Sequence, residues 1–187
     1  MYNVPMKVIL ASQSPRRKEL LAKIVADFQV VPSSCAEVSA QSDPKLYVCE
    51  LATQKATDVW QRNADALVIG SDTVVELDGV ILGKPKSQRE ATETLRNLSG
   101  KTHNVHTGVC ILYGQNKHVF VQTTAVTFKK LSEEEISQYV QSGAPMDKAG
   151  AYGIQECGFV ESFVGSYDNV VGFPTEQVAK IIEKYKG

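Results

Sequence analysis

Two hydroxyl groups and three cations lie at the start of a predicted helix, in residues 12–18 (SQSPRRK). The first amide N–H groups of a helix have no partner and the helix dipole is positive there, so cations at this end cost stability. A bound anion would reverse that penalty, which makes the segment a candidate phosphate site. Two alternatives remain: Pro15 is simply a favourable first helical residue beside solvated Arg16 and Arg17, or SPRR is a minor-groove DNA element, which a single copy supports weakly.

A single carboxylate, Asp72, lies among apolar strand residues in VIGSDTVV. Burying a carboxylate is costly unless a cation, a metal or hydrogen-bond donors compensate it. Asp72 is therefore a candidate catalytic or metal-binding residue, with a structural aspartate bonded to backbone amides as the alternative. Lys84, in LGKP, returns along the same predicted hairpin and could lie near Asp72, or it could be an exposed lysine at a strand end.

Residues 147–155 (DKAGAYGIQ) combine small residues with two glycines and favour neither a helix nor a strand. Such a segment permits close approach of its backbone to another group. Gln155, at its end, offers both a donor and an acceptor, and the edge of a pyrimidine base has matching groups. An ordered loop without a binding role is the alternative.

Neither the cysteines nor the histidines predict a metal site. The four cysteines, Cys35, Cys49, Cys110 and Cys157, include no closely spaced pair, so buried free thiols are expected. His103 and His106 lie in a predicted strand, where residues three apart face opposite sides and cannot bind one ion together.

Composition excludes several classes of protein. The chain has 187 residues, 43% of them hydrophobic, which is enough for a substantial core and excludes a disordered or fibrous chain. Twenty Lys and Arg against 21 Asp and Glu give a net charge of −1, so no overall field recruits nucleic acid or acidic lipid. No apolar run approaches the roughly 20 residues that span a bilayer, and the N-terminal charges follow a short apolar stretch, which is the reverse of a secretory signal. We expect a soluble cytoplasmic protein.

Strand-like and helix-like segments alternate along the chain. A short strand at residues 8–12 precedes the SPRR helix, and residues 44–61 carry a helical apolar stripe on which Lys55 is the odd residue. Asp78-Gly79 predicts a hairpin between strands 66–77 and 80–82, and the capping boxes at 87–90 and 132–135 each begin a helix. Strands at 28–31, 105–113 and 118–128, the last two joined at residues 114–117, and a C-terminal helix at 175–185 complete an α/β fold around a mixed sheet.

Eight features follow one another over nearly the whole chain: LASQSPRRKELL, Glu37, Lys55, GSDTVV, LGKP, LSGKTHNVHTGV, DKAGAYGIQ and GSYDNVVGFP. In this order they resemble the Maf family of nucleoside triphosphate pyrophosphatases. The resemblance implies one Maf-like nucleotide pyrophosphatase domain over residues 1–187. It also implies an elongated mixed sheet flanked by helices, with two lobes around a deep central cleft, as in inosine triphosphate pyrophosphatases. The activity that it implies is hydrolysis of a nucleoside triphosphate to the monophosphate and pyrophosphate.

Within the family, Arg16 and Gln155 resemble the dTTP/UTP branch rather than the 7-methyl-GTP branch, which differs at both positions. By the same resemblance, Asp72 is the proton acceptor, and Arg16, Thr73 and Gln155 are selectivity residues. The phosphate-binding positions correspond to Ser12, Arg17, Lys55 and Lys84. Glu37 matches an acidic cleft residue. Lys148 could join the phosphate ligands or pair with Asp147.

A divalent cation is expected beside Asp72. An aspartate with a pKa of about 3.9 is a poor base for water, whose pKa is about 15.7, so the water must be acidified. Asp72, with Glu37, would hold Mg²⁺, or Mn²⁺ as a substitute. Arg17, Lys55 and Lys84 would then stabilise charge on the leaving pyrophosphate during in-line attack at the α-phosphorus.

Two other functions stay open at this point. The same residues could bind nucleotide and act as a regulator of cell division or septum formation with little or no catalysis. A phosphatase working through an aspartyl-phosphate is disfavoured, because Gly70-Ser71-Asp72 lacks a paired DxD. Pyrimidine nucleoside triphosphates are the expected partners, without nucleic acid or membrane, and the resemblance suggests a homodimer. Val178, Ile181 and Ile182 could contribute to a dimer surface, although a place in the core is favoured.

Overall fold

The computed structural model describes residues 6–185 and has an α/β fold. Within these residues, one mixed sheet of seven strands is flanked by helices. Two short 3₁₀ turns, Ala144–Asp147 and Ala149–Ala151, precede the last strand. In chain order the elements are β1 (Val8–Leu10), α1 (Pro15–Ala22), β2 (Gln29–Val30), α2 (Pro44–Trp60), β3 (Leu67–Leu77), β4 (Val80–Leu82), α3 (Gln88–Leu98), β5 (Thr102–Tyr113), β6 (Asn116–Phe128), α4 (Glu133–Gln141), β7 (Val160–Val164), α5 (Tyr167–Val171) and α6 (Thr175–Glu183).

The strand order of the sheet is β2-β1-β3-β5-β6-β7, and β4 pairs with β3. Strand β1 runs parallel to both β2 and β3, with Ile9 opposite Gln29 on one side and Val68 on the other. The β3–β4 and β6–β7 pairs are antiparallel. The predicted α/β fold with a mixed sheet is therefore confirmed.

The chain divides into two compact units. The first contains the described residues up to Asp72, then Thr107–Gln122 and the described residues from Gly172 onward. The second contains Thr73–His106 and Thr123–Val171. The predicted single domain over residues 1–187 and the predicted cleft between two lobes both stay predictions.

Local sequence signals account for most of the element ends. Asp43 caps α2, and its Oδ1 accepts from the amides of Lys45 and Leu46. Ser132 and Glu135 form the predicted capping box of α4. Asp78 and Gly79 have φ of 52° and 83°, the two positive values that a tight hairpin turn of this kind requires.

Some predicted elements differ from the structure. Strand β7 and helix α5 were not predicted; β7 is a mostly exposed strand at the sheet edge, so it lacks the alternation of apolar and polar residues that marks a half-buried strand. The turn between β5 and β6 spans only Gly114 and Gln115, so β6 begins at Asn116 rather than at the predicted residue 118. At Ser87, the hydroxyl accepts from the Glu90 amide, but the Glu90 carboxylate accepts from the amide of Lys86 instead of completing the box.

Each unit has its own apolar core. In the first unit, β1, β3 and β5 pack against α2 through Ile9, Ala11, Ala52, Ala56, Val59, Ala66, Val68, Cys110 and Leu112. In the second, β3, β5 and β6 pack against α3 and α4, through residues that include Val75, Leu95, Val105, Phe128 and Ile136. The apolar residues of α6, Val178, Ile181 and Ile182, are buried, in agreement with the favoured core role.

Two glycines let α2 lie directly on the sheet in the first unit. A Cβ on Gly70 would clash with the carbonyl oxygen of Ala52 and lie 2.7 Å from the amide nitrogen of Ala56. A Cβ on Gly108 would lie 2.5 Å from the carbonyl group of Val48. Helix α2 therefore rests on β3 and β5 at backbone contact distance, which fixes where its next turn places Lys55.

The histidines face opposite sides of β5, as predicted. His103 packs edge-to-face on Phe128, whereas His106 is hydrogen-bonded to Thr123. The four cysteines are free thiols, but only Cys110 and Cys157 are buried, so the expectation of burial holds for two of them. In the part of the chain that the structure describes, no helix is both long and apolar enough to cross a bilayer.

The Gly70→Ala variant is expected to lower the free energy of unfolding by about 1–3 kcal/mol, because the added methyl group meets the backbone of α2. Urea denaturation measures the change. Gly83→Ala is the matched control, since a Cβ on Gly83 meets nothing within 4 Å. Equal stability of the two variants would contradict the packing described here.

Candidate active site

A buried ion pair joins α2 to β3 in the first unit. The Lys55 ammonium donates to Asp72 Oδ1 at 2.6 Å, and the two residues are only 8% and 9% exposed. Glu37 Oε2 lies 3.0 Å from the same ammonium nitrogen. One lysine thus holds two carboxylates, of which Glu37 is about half exposed and Asp72 is buried.

The position of this pair follows from the packing of α2 on the sheet. Lys55 lies one turn beyond Ala52, and Asp72 lies two residues beyond Gly70 on the same face of β3. The close contact between Ala52 and Gly70 therefore brings the lysine and the aspartate together. Lys55 is the polar residue on an otherwise apolar buried stripe, and its ion pair with Asp72 explains why a lysine is buried there.

The start of α1 also belongs to the first unit, where it contributes the hydroxyl of Ser12 and the guanidinium of Arg17. Ser14 caps the helix by accepting from the Arg17 amide, and Pro15 is its first residue. The side chain of Arg17 turns back and donates through Nη1 to Ser12 Oγ at 3.5 Å. No acidic side chain occupies the first turn of α1, so the positive end of this helix is not neutralised by its own residues.

The carbonyl oxygen of Gly172 is a shared anchor that the sequence did not reveal. Arg17 Nε donates to it at 2.9 Å, and the Ser71 hydroxyl donates to it at 3.3 Å. Gly172 has a φ of 119°, a conformation that favours glycine. The VGFP string was the only hint of this contact in the sequence, because the residue types around a backbone carbonyl do not indicate which groups donate to it.

Electrostatic coupling links Arg17 and Tyr47 to the two carboxylates. Burial lowers the pKa of Arg17, while Asp72 and Glu37 act in the opposite direction. Burial, with smaller contributions from Asp72 and then Glu37, raises the pKa of Tyr47. Tyr47 was noted only as part of the helical stripe of α2. Its place eight residues before Lys55 puts both on one face of the helix.

Of the remaining predicted site residues, Arg16 lies in the first unit, and Thr73 and Lys84 lie in the second. Arg16 lies in the first turn of α1, half-buried, and its charge lowers the pKa of Arg17. Thr73 is half-buried in β3, and Lys84 is exposed just beyond β4. In the second unit the amide of Gly150 donates to the carbonyl of Gly83 at 3.0 Å, so the LGKP and DKAG segments are neighbours.

Lys148 and Gln155 lie on the same irregular segment in very different surroundings. The Lys148 ammonium donates to Ala144 O at 2.6 Å and Asp147 Oδ1 at 2.8 Å, and lies 2.9 Å from Glu156 Oε1. Gln155 is exposed in the turn that follows Gly153. The predicted pairing of Lys148 with Asp147 is observed, and a phosphate contact by Lys148 stays a prediction.

The predicted site residues brought together by contacts or electrostatic coupling in the first unit are Ser12, Arg16, Arg17, Glu37, Lys55 and Asp72. Lys84, suggested by the hairpin as a partner for Asp72, belongs to the second unit and is exposed, and the buried cation on Asp72 is Lys55. Asp72 is thus compensated by a cation, Lys55, and the suggested proximity of Lys84 to Asp72 stays a prediction.

Glu37 and Asp72 are the two site carboxylates that could contribute oxygen ligands to a magnesium ion. Mg²⁺ prefers oxygen ligands and is commonly bound by one or two carboxylates together with substrate phosphates and water. Glu37 Oε2 and Asp72 Oδ1 both contact the Lys55 ammonium, so an ion bound while that contact persists would use the other oxygen of each carboxylate. Among residues 6–185 no group of three or more His, Cys, Asp or Glu side chains could hold an ion by itself, so a phosphate would have to complete the coordination.

The chain is similar in sequence to known proteins along almost its whole length. A dTTP/UTP pyrophosphatase of Thermococcus kodakarensis is 48% identical over 179 residues, covering 94% of this chain and 95% of the relative. A dTTP/UTP pyrophosphatase of Bacillus cereus is 47% identical over 182 residues, covering 96% and 95%.

The fold also has a solved counterpart. The Ham1 protein of Staphylococcus aureus covers 96% of this chain and 99% of its own, with a TM-score of 0.55 and 15% sequence identity, which shows a similar fold alone. The model of the family described as Maf-like protein matches residues 7–185. With this match and with relatives of nearly half-identical sequence along almost its whole length, the chain belongs to the Maf family.

Proposed function

We propose that this protein is a nucleoside triphosphate diphosphatase that hydrolyses dTTP and UTP, and modified pyrimidine triphosphates, to the monophosphate and pyrophosphate. Such an activity removes surplus or modified nucleotides from the pool. The observation that carries the proposal is the buried Lys55–Asp72 pair with Arg17 beside it, in a chain 48% identical to a dTTP/UTP pyrophosphatase.

Asp72 is the proton acceptor for the attacking water. The contact with Lys55 fixes one carboxylate oxygen, Oδ1, and orients the group on β3. Water attacks the α-phosphorus in line with the leaving pyrophosphate, and Asp72 takes up the proton that the water loses. Because the site is buried, electrostatic interactions in it are stronger than they would be in water.

Arg17, Lys55 and Lys84 bind the triphosphate and stabilise the charge that develops on the leaving pyrophosphate. The Arg17 guanidinium is already oriented by Gly172 O and Ser12 Oγ, so little side-chain entropy is lost when it binds phosphate oxygens. The hydroxyl of Ser12 can turn its proton toward a phosphate oxygen. The positive end of α1 adds to this binding.

A divalent cation, Mg²⁺ or Mn²⁺, completes the proposal. Asp72 and Glu37 would hold it, because they are the two carboxylates that converge in the first unit. When bound, the ion supplies a lower pKa for the attacking water and screens the negative charge of the triphosphate.

Selectivity for pyrimidines rests on Arg16, Thr73 and Gln155. The exposed amide of Gln155 can both donate to and accept from the edge of a base, which suits the adjacent carbonyl and N–H groups of uracil and thymine. A cytoplasmic location stays a prediction from the sequence.

Pyrophosphate release from a panel of triphosphates, measured with and without Mg²⁺, tests the activity, the selectivity and the metal together. We expect turnover of dTTP and UTP in preference to purine triphosphates, and loss of turnover when a chelator removes the metal. Water labelled with ¹⁸O should place the isotope in the monophosphate. Nucleotide binding without turnover would instead favour the regulatory alternative, and label only in pyrophosphate would mean attack at the β-phosphorus.

The Asp72→Asn variant is expected to lose on the order of a hundredfold or more in kcat, because the amide cannot accept the proton. Its affinity for nucleotide should stay within a few-fold of wild type, as measured by equilibrium binding. Asp78→Asn is the matched control, since Asp78 lies exposed in the hairpin turn, where Asn-Gly is equally favourable. Near-normal turnover in Asp72→Asn would remove Asp72 from the role.

We also propose that the protein is a homodimer, as its resemblance to the family suggests. Leu46 and Val119 are 56% and 42% exposed and line one surface depression of the first unit, and association would bury them. Sedimentation should give twice the 20.4 kDa mass of the chain. A purely monomeric wild-type protein at micromolar concentration would contradict the proposal.

A further inference from the structure

The segment 148–156, which carries Gln155, has an unusual backbone conformation. Gly150 and Ala151 have φ of 68° and 60° in succession, and the second is not a glycine. A non-glycine residue in the left-handed region persists only where the surrounding structure holds it. Several contacts of the second unit do so here.

Lys148 binds the start of the segment to its end. Its ammonium reaches Ala144 O, Asp147 Oδ1 and Glu156 Oε1 at 2.6, 2.8 and 2.9 Å. Its side chain is only 10% exposed. An ammonium group has three donors, and these three oxygens satisfy them all.

Tyr139, on α4, joins the same carboxylate to the middle of the segment. Its hydroxyl donates to Glu156 Oε1 and accepts from the amide of Gly153, both at 3.1 Å. Burial raises the pKa of Tyr139, so the phenol keeps its proton at neutral pH and can donate. Glu156 Oε1 thus accepts from a lysine and a tyrosine that lie outside its own turn.

A side chain at residue 153 would displace Lys148 from its place in this network. A Cβ on Gly153 would lie 2.8 Å from Lys148 Cε and 3.1 Å from Glu156 Oε1. Gln155 lies between Gly153 and Glu156, the two residues that the network holds. The backbone position of Gln155, and with it the direction of its Cα–Cβ bond, is therefore set by its anchored neighbours.

A second anchor acts on the same segment from β5. Tyr152 Oη and His103 Nε2 are hydrogen-bonded at 2.8 Å, and both rings pack edge-to-face on Phe128. Burial lowers the pKa of His103 to about 4, so this histidine is neutral at pH 7 and the contact does not change through the neutral range.

We propose that the network of Lys148, Glu156 and Tyr139 is a positioning device that presents Gln155 to the pyrimidine base, and that Lys148 serves this device rather than binding phosphate. The inference rests on the proposed function, because it assigns a role in the selectivity of that reaction. Tyr139 and Glu156 are then positioning residues that act through Gln155.

The decisive variant is Tyr139→Phe, which removes the hydroxyl from Glu156 and Gly153 while keeping the ring. We expect KM for dTTP and UTP to rise about tenfold, with kcat and the KM for GTP within about twofold of wild type, because only base recognition is lost. Tyr113→Phe is the matched control. Lys148→Met and Glu156→Gln should change the same selectivity, whereas loss of a phosphate ligand would weaken every triphosphate alike.

A double variant separates positioning from general destabilisation. If Tyr139 acts through Gln155, adding Tyr139→Phe to Gln155→Ala should give no further rise in KM for dTTP. Hydrogen exchange should show faster exchange at the amides of residues 153–157 in Tyr139→Phe. Glu156→Gln, which keeps the shape of the side chain, serves if Tyr139→Phe folds poorly.

Three outcomes would overturn the inference. They are an equal loss for all triphosphates in Lys148→Met, full additivity in the double variant, or unchanged selectivity in Tyr139→Phe. A wild-type protein that hydrolyses dTTP and UTP alongside any of these keeps the proposed function and refutes only the positioning device. A wild-type protein that turns over neither nucleotide refutes both.

Discussion

The buried contact between Lys55 and Asp72 is the interaction on which the candidate site depends. Removing two charges from water is expensive, and their attraction repays the cost only with good geometry, so such a pair is a weak source of stability. Here the geometry comes from backbone contact between α2 and the sheet at Gly70 and Gly108. Gly70 and Gly108 thus set the distance between Lys55 and Asp72. A fold that needed only stability would be served as well by apolar side chains at positions 55 and 72.

Both members of this pair were conspicuous in the sequence, but their pairing was not. Lys55 interrupts an apolar helical stripe, and Asp72 interrupts an apolar strand, so each predicts a compensating partner. The pairing depends on which strand α2 packs against and at what register, and neither follows from local periodicity. The hairpin suggested only that Lys84 could lie near Asp72, because sequence patterns reveal neighbours along a turn far better than neighbours across a helix–sheet contact.

The fold was predictable where local chemistry decides it. The Asp78-Gly79 turn, the Ser132–Glu135 capping box and the stripe of α2 each gave an element close to the observed one. Strand β7 escaped because its side chains are mostly exposed at a sheet edge. The contacts of the Gly172 carbonyl and the Tyr139 hydroxyl were not predicted for another reason. The partners of Gly172 lie 101 and 155 residues away and those of Tyr139 lie 14 and 17 residues away, and no residue pattern specifies such contacts.

Among residues 6–185, Lys55 and Lys148 each bridge two carboxylates, and the number of N–H donors that each has left distinguishes what it can bind. Within the described residues, the Lys55 ammonium contacts Glu37 and Asp72, so one of its three N–H groups remains for a ligand. Lys148 meets two carboxylates and a carbonyl, and has none to spare. A phosphate could bind Lys55 without displacing either carboxylate, but at Lys148 it would have to break a contact that shapes the segment carrying Gln155. The two lysines are similarly buried but suit different roles, because Lys55 can still bind the substrate whereas Lys148 holds the loop that carries Gln155.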